Sequence, residues 1–119
     1  MTHFQITIQL PLKYNSSESD PLGKKIEESK FKQTYDELLS LVGGITINPM
    51  PFQGTWVDPC TGVRYDDENV VWSVLVDSED KVSAVKVAKI QELIKYKETL
   101  KERFQQKEIY IVAIRCSWL

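Results

Sequence analysis

Seven side chains able to do chemistry gather around one turn-forming stretch of the sequence: Trp56, Asp58, Arg64, Tyr65, Asp66, Asp67 and Glu68 flank Pro59, Cys60, Thr61 and Gly62. A guanidinium fork can hold a carboxylate or a phosphate, carboxylates accept from donors or attract cations, and two aromatic rings offer stacking surface. Trp56, Asp58, Arg64, Tyr65, Asp66 and Asp67 are therefore the candidate ligand-binding residues. The plainer reading is solvated loop charge, with a Trp beside Gly54 and Thr55 covering the end of a core. Three consecutive acids at 66–68 invite a divalent cation, but the alternating Asp spacing that wraps calcium is absent.

The remaining reactive residue types are sparse. His3 is the one histidine and is expected at a frayed terminus, so neither a Ser-His-Asp nor a Cys-His arrangement is indicated. Cys60 and Cys116 are too far apart in sequence to form a metal-ligand cluster with that histidine. Cys60 has only Arg64 near it in sequence to activate its thiol, and Cys116 reads as a small packing residue. Gly43 and Gly44 do not belong to a phosphate-binding loop. No catalytic residue, metal or cofactor is assigned, and the balance leans away from an enzyme.

The elements that must position the polar group follow from periodicity. Phe4, Ile6, Ile8 and Leu10 alternate with Gln5, Thr7 and Gln9, the pattern of a strand buried on one face. Phe31, Tyr35, Leu38, Leu39 and Val42 then form a helical stripe, which Gly43 and Gly44 end. Ile45–Ile47 reads as a short edge strand interrupted by Pro49 and Pro51, and Gln53–Trp56 resumes it before a hairpin turn. Val70–Val76 has the composition of a central strand, followed by a turn over Asp77, Ser78, Glu79 and Asp80. Ile90, Leu93, Ile94, Lys97, Leu100 and Phe104 carry a second helical stripe, extended backward by Val82, Val85 and Val87. Ile109–Ile114 closes the order with a strand apolar on both faces.

This β-α-β-β-α-β order predicts an α+β, ferredoxin-like two-layer sandwich, with two helices on one face of a four-stranded antiparallel sheet. At 119 residues, 42% hydrophobic and 27% charged, the whole chain reads as a single domain, 1–119. Fifteen basic and seventeen acidic residues leave a net charge of -2, which offers no long-range attraction for nucleic acid or anionic lipid. The lysines at 24, 25, 30 and 32 are interleaved with acids and read as a solvated helix face. Tyr110 and Trp72 are the two aromatics that could stack nucleotide bases on an open sheet face. No signal peptide or membrane span is apparent, so a cytoplasmic protein is expected.

Gly43-Gly44-Ile45-Thr46, Gln53-Gly54-Thr55-Trp56, Gly62, and Phe104, Gln105, Gln106, Glu108, Ile109 and Tyr110 together form a pattern. It resembles small uncharacterised bacterial domain-of-unknown-function proteins with a ferredoxin-like fold, from about Ile26 onward. The resemblance implies a fold and no chemistry.

Two functional expectations follow. The first is a non-catalytic binding or regulatory module that self-associates, as a homodimer, through the open sheet face carrying Gln5, Thr7, Gln9, Val71, Leu75 and Val112. The alternative is a small-molecule binder or enzyme using the Trp56–Glu68 hairpin, with two sheets forming a dimeric α+β barrel.

Overall fold

The computed structural model describes residues 2–15, 19, 23–77 and 83–117. Alternation gives the first strand, β1 (Thr2–Pro11), whose Ile6, Ile8 and Leu10 are buried while Gln5 and Gln9 are exposed. A helix, α1 (Glu28–Val42), follows. It ends where Gly43 adopts φ 82° and donates its N–H to the Leu39 carbonyl, a left-handed cap that a Cβ would disfavour. The hairpin consists of β2 (Thr46–Val57) and β3 (Arg64–Asp77), after which come α2 (Ser83–Arg103) and β4 (Ile111–Ser117).

The four strands form one antiparallel sheet in the order β2-β3-β1-β4. Ile8 of β1 lies opposite Trp72 of β3 on one side and Ile111 of β4 on the other. The core lies between one sheet face and the helices: Ile6, Ile8, Leu10, Val70, Trp72, Val74 and Val76 below, and Leu38, Leu93, Leu100 and Phe104 above. Phe31 meets the Phe104 ring edge-on at 5.2 Å, and Tyr35 meets Trp72 the same way at 6.3 Å. The architecture is the α+β, ferredoxin-like one that the element order predicts.

Several local expectations change. β2 is one strand rather than two pieces, because a bulge between Asn48 and Phe52 absorbs Pro49 and Pro51 at the sheet edge. His3 is no frayed terminus; it sits in β1 and is 4% exposed. Trp72 is roofed by the helices and cannot act as a stacking platform. The last strand begins at Ile111, while Ile109 is buried just before it. Neither face of β4 is fully covered within the chain, since it is an edge strand and Val112, Ala113 and Ile114 are all exposed. Ser78, Glu79, Asp80 and Val82 lie outside the described residues.

The helical stripes keep Phe31, Tyr35, Leu38, Val42, Leu93, Leu100 and Phe104 against the core. Leu39 and Ile94 are exposed, and Thr34 is fully buried beside the stripe. Thr34 belongs to a polar clamp between the helices. Arg103, its side chain 10% exposed, donates to both carboxylate oxygens of Glu37, the longer contact being 3.1 Å. The same guanidinium donates to Thr34 Oγ1 at 2.8 Å and to the Tyr96 hydroxyl at 3.2 Å. Tyr96 in turn donates to Glu37 at 3.0 Å. Lys30 closes the ring by donating its Nζ to the Arg103 carbonyl at 3.0 Å.

Removing one partner from such a clamp strands the others in a partly dry site. Arg103→Ala is expected to lower unfolding stability by about 2 kcal/mol, between the values for surface and fully buried pairs. Chemical denaturation of Arg103→Ala, Glu37→Ala and the double variant checks this, with a non-additive cycle as the expected result.

Candidate functional site

β3 outruns β1. Pairing between them ends at Pro11 opposite Asn69, with one further bond from Leu12 N–H to the Glu68 carbonyl at 3.0 Å. Beyond that point β2 and β3 continue as a two-stranded ribbon to the turn at Asp58–Val63, where Asp58 N–H donates to the Val63 carbonyl at 2.9 Å. The Asp58 carboxylate builds this turn by accepting the Cys60 N–H at 2.8 Å, and Gly62 supplies the left-handed residue with φ 72°.

Strand alternation sorts the seven candidate side chains onto two faces. Trp56 stands opposite Tyr65 in register, and their rings stack at 4.8 Å with 17° between planes. Asp67 and Asn69 share that face of β3, which continues the open side of the sheet. Arg64, Asp66 and Glu68 belong to the other face, continuous with the helix side. There Arg64 Nε donates to Asp66 Oδ1 at 3.1 Å, and Thr55 Oγ1 donates to the same oxygen at 2.8 Å. Adjacent acids thus point apart, which is why the 66–68 run cannot converge on one cation; among the described residues no group of three metal-ligating side chains occurs.

Each face borders a cavity. The one on the open side has a volume of about 370 Å³. Its ribbon wall is Trp56, Asp58, Tyr65, Asp67 and Asn69; its opposite wall is the segment Gln106–Tyr110 that leads into β4, with Gln9 and Pro11 of β1 between them. The cavity on the helix side is larger, about 650 Å³, and is bordered by Lys13, Tyr14, Gln53, Arg64, Asp66 and Glu68. Asn15, Gly54, Thr55, Tyr65 and Asp67 line both. The six predicted binding residues therefore do not form a single constellation: Trp56 and Asp58 face one cavity, Arg64 and Asp66 the other, and Tyr65 and Asp67 border each.

The electrostatics differ accordingly. Burial holds the Asp67 carboxyl above its ordinary range, assisted by the negative charge of Asp66 and opposed by a hydrogen bond from Trp56. Asp66 lies below its ordinary range because the Thr55 hydroxyl and the Arg64 guanidinium stabilise its charge. Across the open-side cavity, Glu108 is drawn below its ordinary range by Lys97, whose Nζ lies 2.6 Å from Oε1. This opposite wall was not legible as site-forming from sequence. Gln106, Glu108, Ile109 and Tyr110 belong to the sequence pattern that implies a fold and no chemistry, and Tyr110 is also a candidate stacking aromatic; it is 58% exposed and lines this cavity.

No family model matches the chain, and no curated protein matches it. Among solved structures, the chain is similar to a phage SAM lyase in complex with S-methyl-5'-thioadenosine. The TM-score is 0.57 and the identity 14%, with 98% of this chain and 92% of that one covered. At that identity the likeness is one of fold: an α+β, ferredoxin-like sandwich.

Asp67 offers a direct test of the site's electrostatics. A carboxyl raised in the folded state contributes stability that is fully present below its unfolded pKa and is lost as pH rises through the folded one. At neutral pH the charged Asp67 therefore opposes folding. Asp67→Asn is expected to raise the melting temperature at pH 7, and the gain should shrink towards acid pH, where both side chains are neutral. Thermal melts across that pH range measure it.

Proposed function

We propose that the chain binds a small planar molecule in the cavity between the Trp56–Tyr65 stack and Gln106–Tyr110. The observation that carries this reading is the stacked aromatic pair lying beside a partly buried, charge-opposed carboxyl in a concavity of ligand size. The stacked rings offer a flat apolar surface. Asn69, Gln106 and the Asp67 carboxyl, which donates when protonated and accepts when charged, offer edge hydrogen bonds of the sort that fix a heterocycle. The similar phage SAM lyase holds S-methyl-5'-thioadenosine, a nucleoside thioether, which makes nucleoside-type compounds the first class to test.

Titration of S-methyl-5'-thioadenosine and adenosine by calorimetry is the experiment. Saturable binding is expected, weakened about tenfold or more by Trp56→Ala through loss of stacking. Equal affinity in wild type and Trp56→Ala would remove the cavity from consideration.

A second reading, self-association through the open sheet face, rests on Leu75, Val112 and Ile114, each about half exposed. Between them on that face, Gln5, Thr7, Gln9, Val71 and Ser73 carry no charge, so the middle of the face offers a neutral surface to a second copy. Two such sheets facing one another would form the dimeric α+β barrel. Light scattering at micromolar concentration is expected to give a dimer, and Val112→Lys with Ile114→Lys a monomer. A wild-type monomer at every concentration defeats this reading.

A further inference from the structure

Asp67 lines the open-side cavity next to the stacked aromatic pair, and two neighbours define what its carboxyl can do there. Opposite it in register on β2 is Gly54. The Gly54 backbone is not in the left-handed range, and a Cβ there would meet Asn69 Nδ2 at 3.6 Å, an ordinary contact. Neither its conformation nor its described neighbours call for glycine. A glycine inside a strand weakens it and often marks a place where another group comes close to the main chain. Here it leaves bare backbone beside the Asp67 carboxyl, on the face where Trp56 and Tyr65 stack.

The second neighbour is Trp56. Its indole N–H, which can only donate, hydrogen-bonds the Asp67 carboxyl. One carboxyl oxygen is therefore held as an acceptor whatever the charge on Asp67, and any proton on the group belongs to the other oxygen. Burial, the leading influence on Asp67, favours that neutral form, in which an acceptor and a donor stand side by side in a fixed order. The acids around it have partners of their own: Asp66 accepts from Thr55 and Arg64, Glu108 is paired with Lys97 at 2.6 Å, and Asp58 accepts the Cys60 N–H. Lys107 and the phenols of Tyr65 and Tyr110 also border the open-side cavity, and Lys13, Tyr14 and Glu68 the helix-side one.

We propose that Asp67 is the specificity-determining residue of this cavity, selecting an adenine-type edge, a ring nitrogen beside an exocyclic amino group, over the lactam edge of hypoxanthine or guanine. Such selection rests on the small-molecule reading of the cavity and names its ligand class. The amino group donates to the oxygen that Trp56 also holds, since a carbonyl oxygen has two lone pairs, and the protonated oxygen donates to the ring nitrogen. A lactam in the same place reverses both partners: its carbonyl meets an acceptor and its N–H meets a donor. Trp56 keeps the carboxyl from exchanging its two oxygens to suit it, and a mispaired polar edge costs more than a missing contact. Charged Asp67 loses its donor, so adenine-type binding is present below the folded pKa of Asp67 and fades as pH rises through it.

Calorimetric titration of the full chain with adenosine and inosine, which differ in this edge alone, is the test. At mildly acid pH adenosine is expected to bind about tenfold or more tighter than inosine. Its affinity should fall towards mildly alkaline pH, with net proton uptake on binding near neutrality, seen as a dependence of the heat on the buffer's ionisation enthalpy. Asp67→Asn, whose amide keeps an oxygen for Trp56 and turns a permanent donor to the ligand, should retain the preference and lose the fall with pH. Asp67→Ala should bind the two nucleosides about equally. So should Trp56→Phe, which keeps a stacking ring but frees the carboxyl to exchange its oxygens. The nucleoside comparison reads the wild-type chain and stands whether or not a variant folds. Equal binding of adenosine and inosine by the wild type overturns the proposal, as does the preference intact in Asp67→Ala or Trp56→Phe. Wild-type pH dependence in Asp67→Asn overturns it too, giving the titration to Asp58, Glu108 or another bordering group. Those results leave the cavity reading in place wherever Trp56→Ala weakens binding, whereas failure of both nucleosides to bind removes the two together.

Discussion

The pairing of β1 with β3, and the point at which it stops, governs everything else in this protein. Where the two strands run side by side, Ile6, Ile8 and Leu10 join Val70, Trp72, Val74 and Val76 under the helices, and apolar burial there is the dominant source of stability. At Pro11 the first strand can no longer donate to a ladder, and Leu12 adds one last bond before the chain turns away. β3 continues without it. The cavities and the stacked aromatic pair belong to that continuation.

Above the sheet, the helices are held by two kinds of force acting in different places. Phe31, Tyr35, Leu38, Leu93, Leu100 and Phe104 exclude water over the strands. At the margin, where water reaches, Arg103 gathers Glu37, Thr34 and Tyr96 into one network. The apolar contacts hold the helices on the sheet, while the guanidinium, with its planar fork of donors, ties one helix to the other.

Much of this was legible beforehand. Period-two alternation in β1 and β3, a helical stripe ended by Gly43, and two prolines marking an edge strand each express a local steric or hydrogen-bonding rule, so element order and layer arrangement followed from them. The clamp between the helices was not legible, because Glu37 and Arg103 meet only when the fold brings them together from 66 residues apart. The site was half legible. Turn chemistry drew attention to Trp56–Glu68, yet only register, which depends on which residues face each other across the hairpin, divides Trp56 and Tyr65 from Arg64 and Asp66. The second wall, Gln106–Tyr110, comes from a distant part of the chain, and the sequence pattern that includes it implies a fold and no chemistry.

The ribbon's position outside the packed layer also bears on how such a protein can diversify. Substitutions at Trp56, Tyr65, Asp66 or Asp67 reshape the cavity walls while leaving the residues that hold the fold untouched, so the character of that surface and foldability are subject to nearly separate selection. A lineage built on this scaffold is free to vary the ribbon by small steps, each of which still folds.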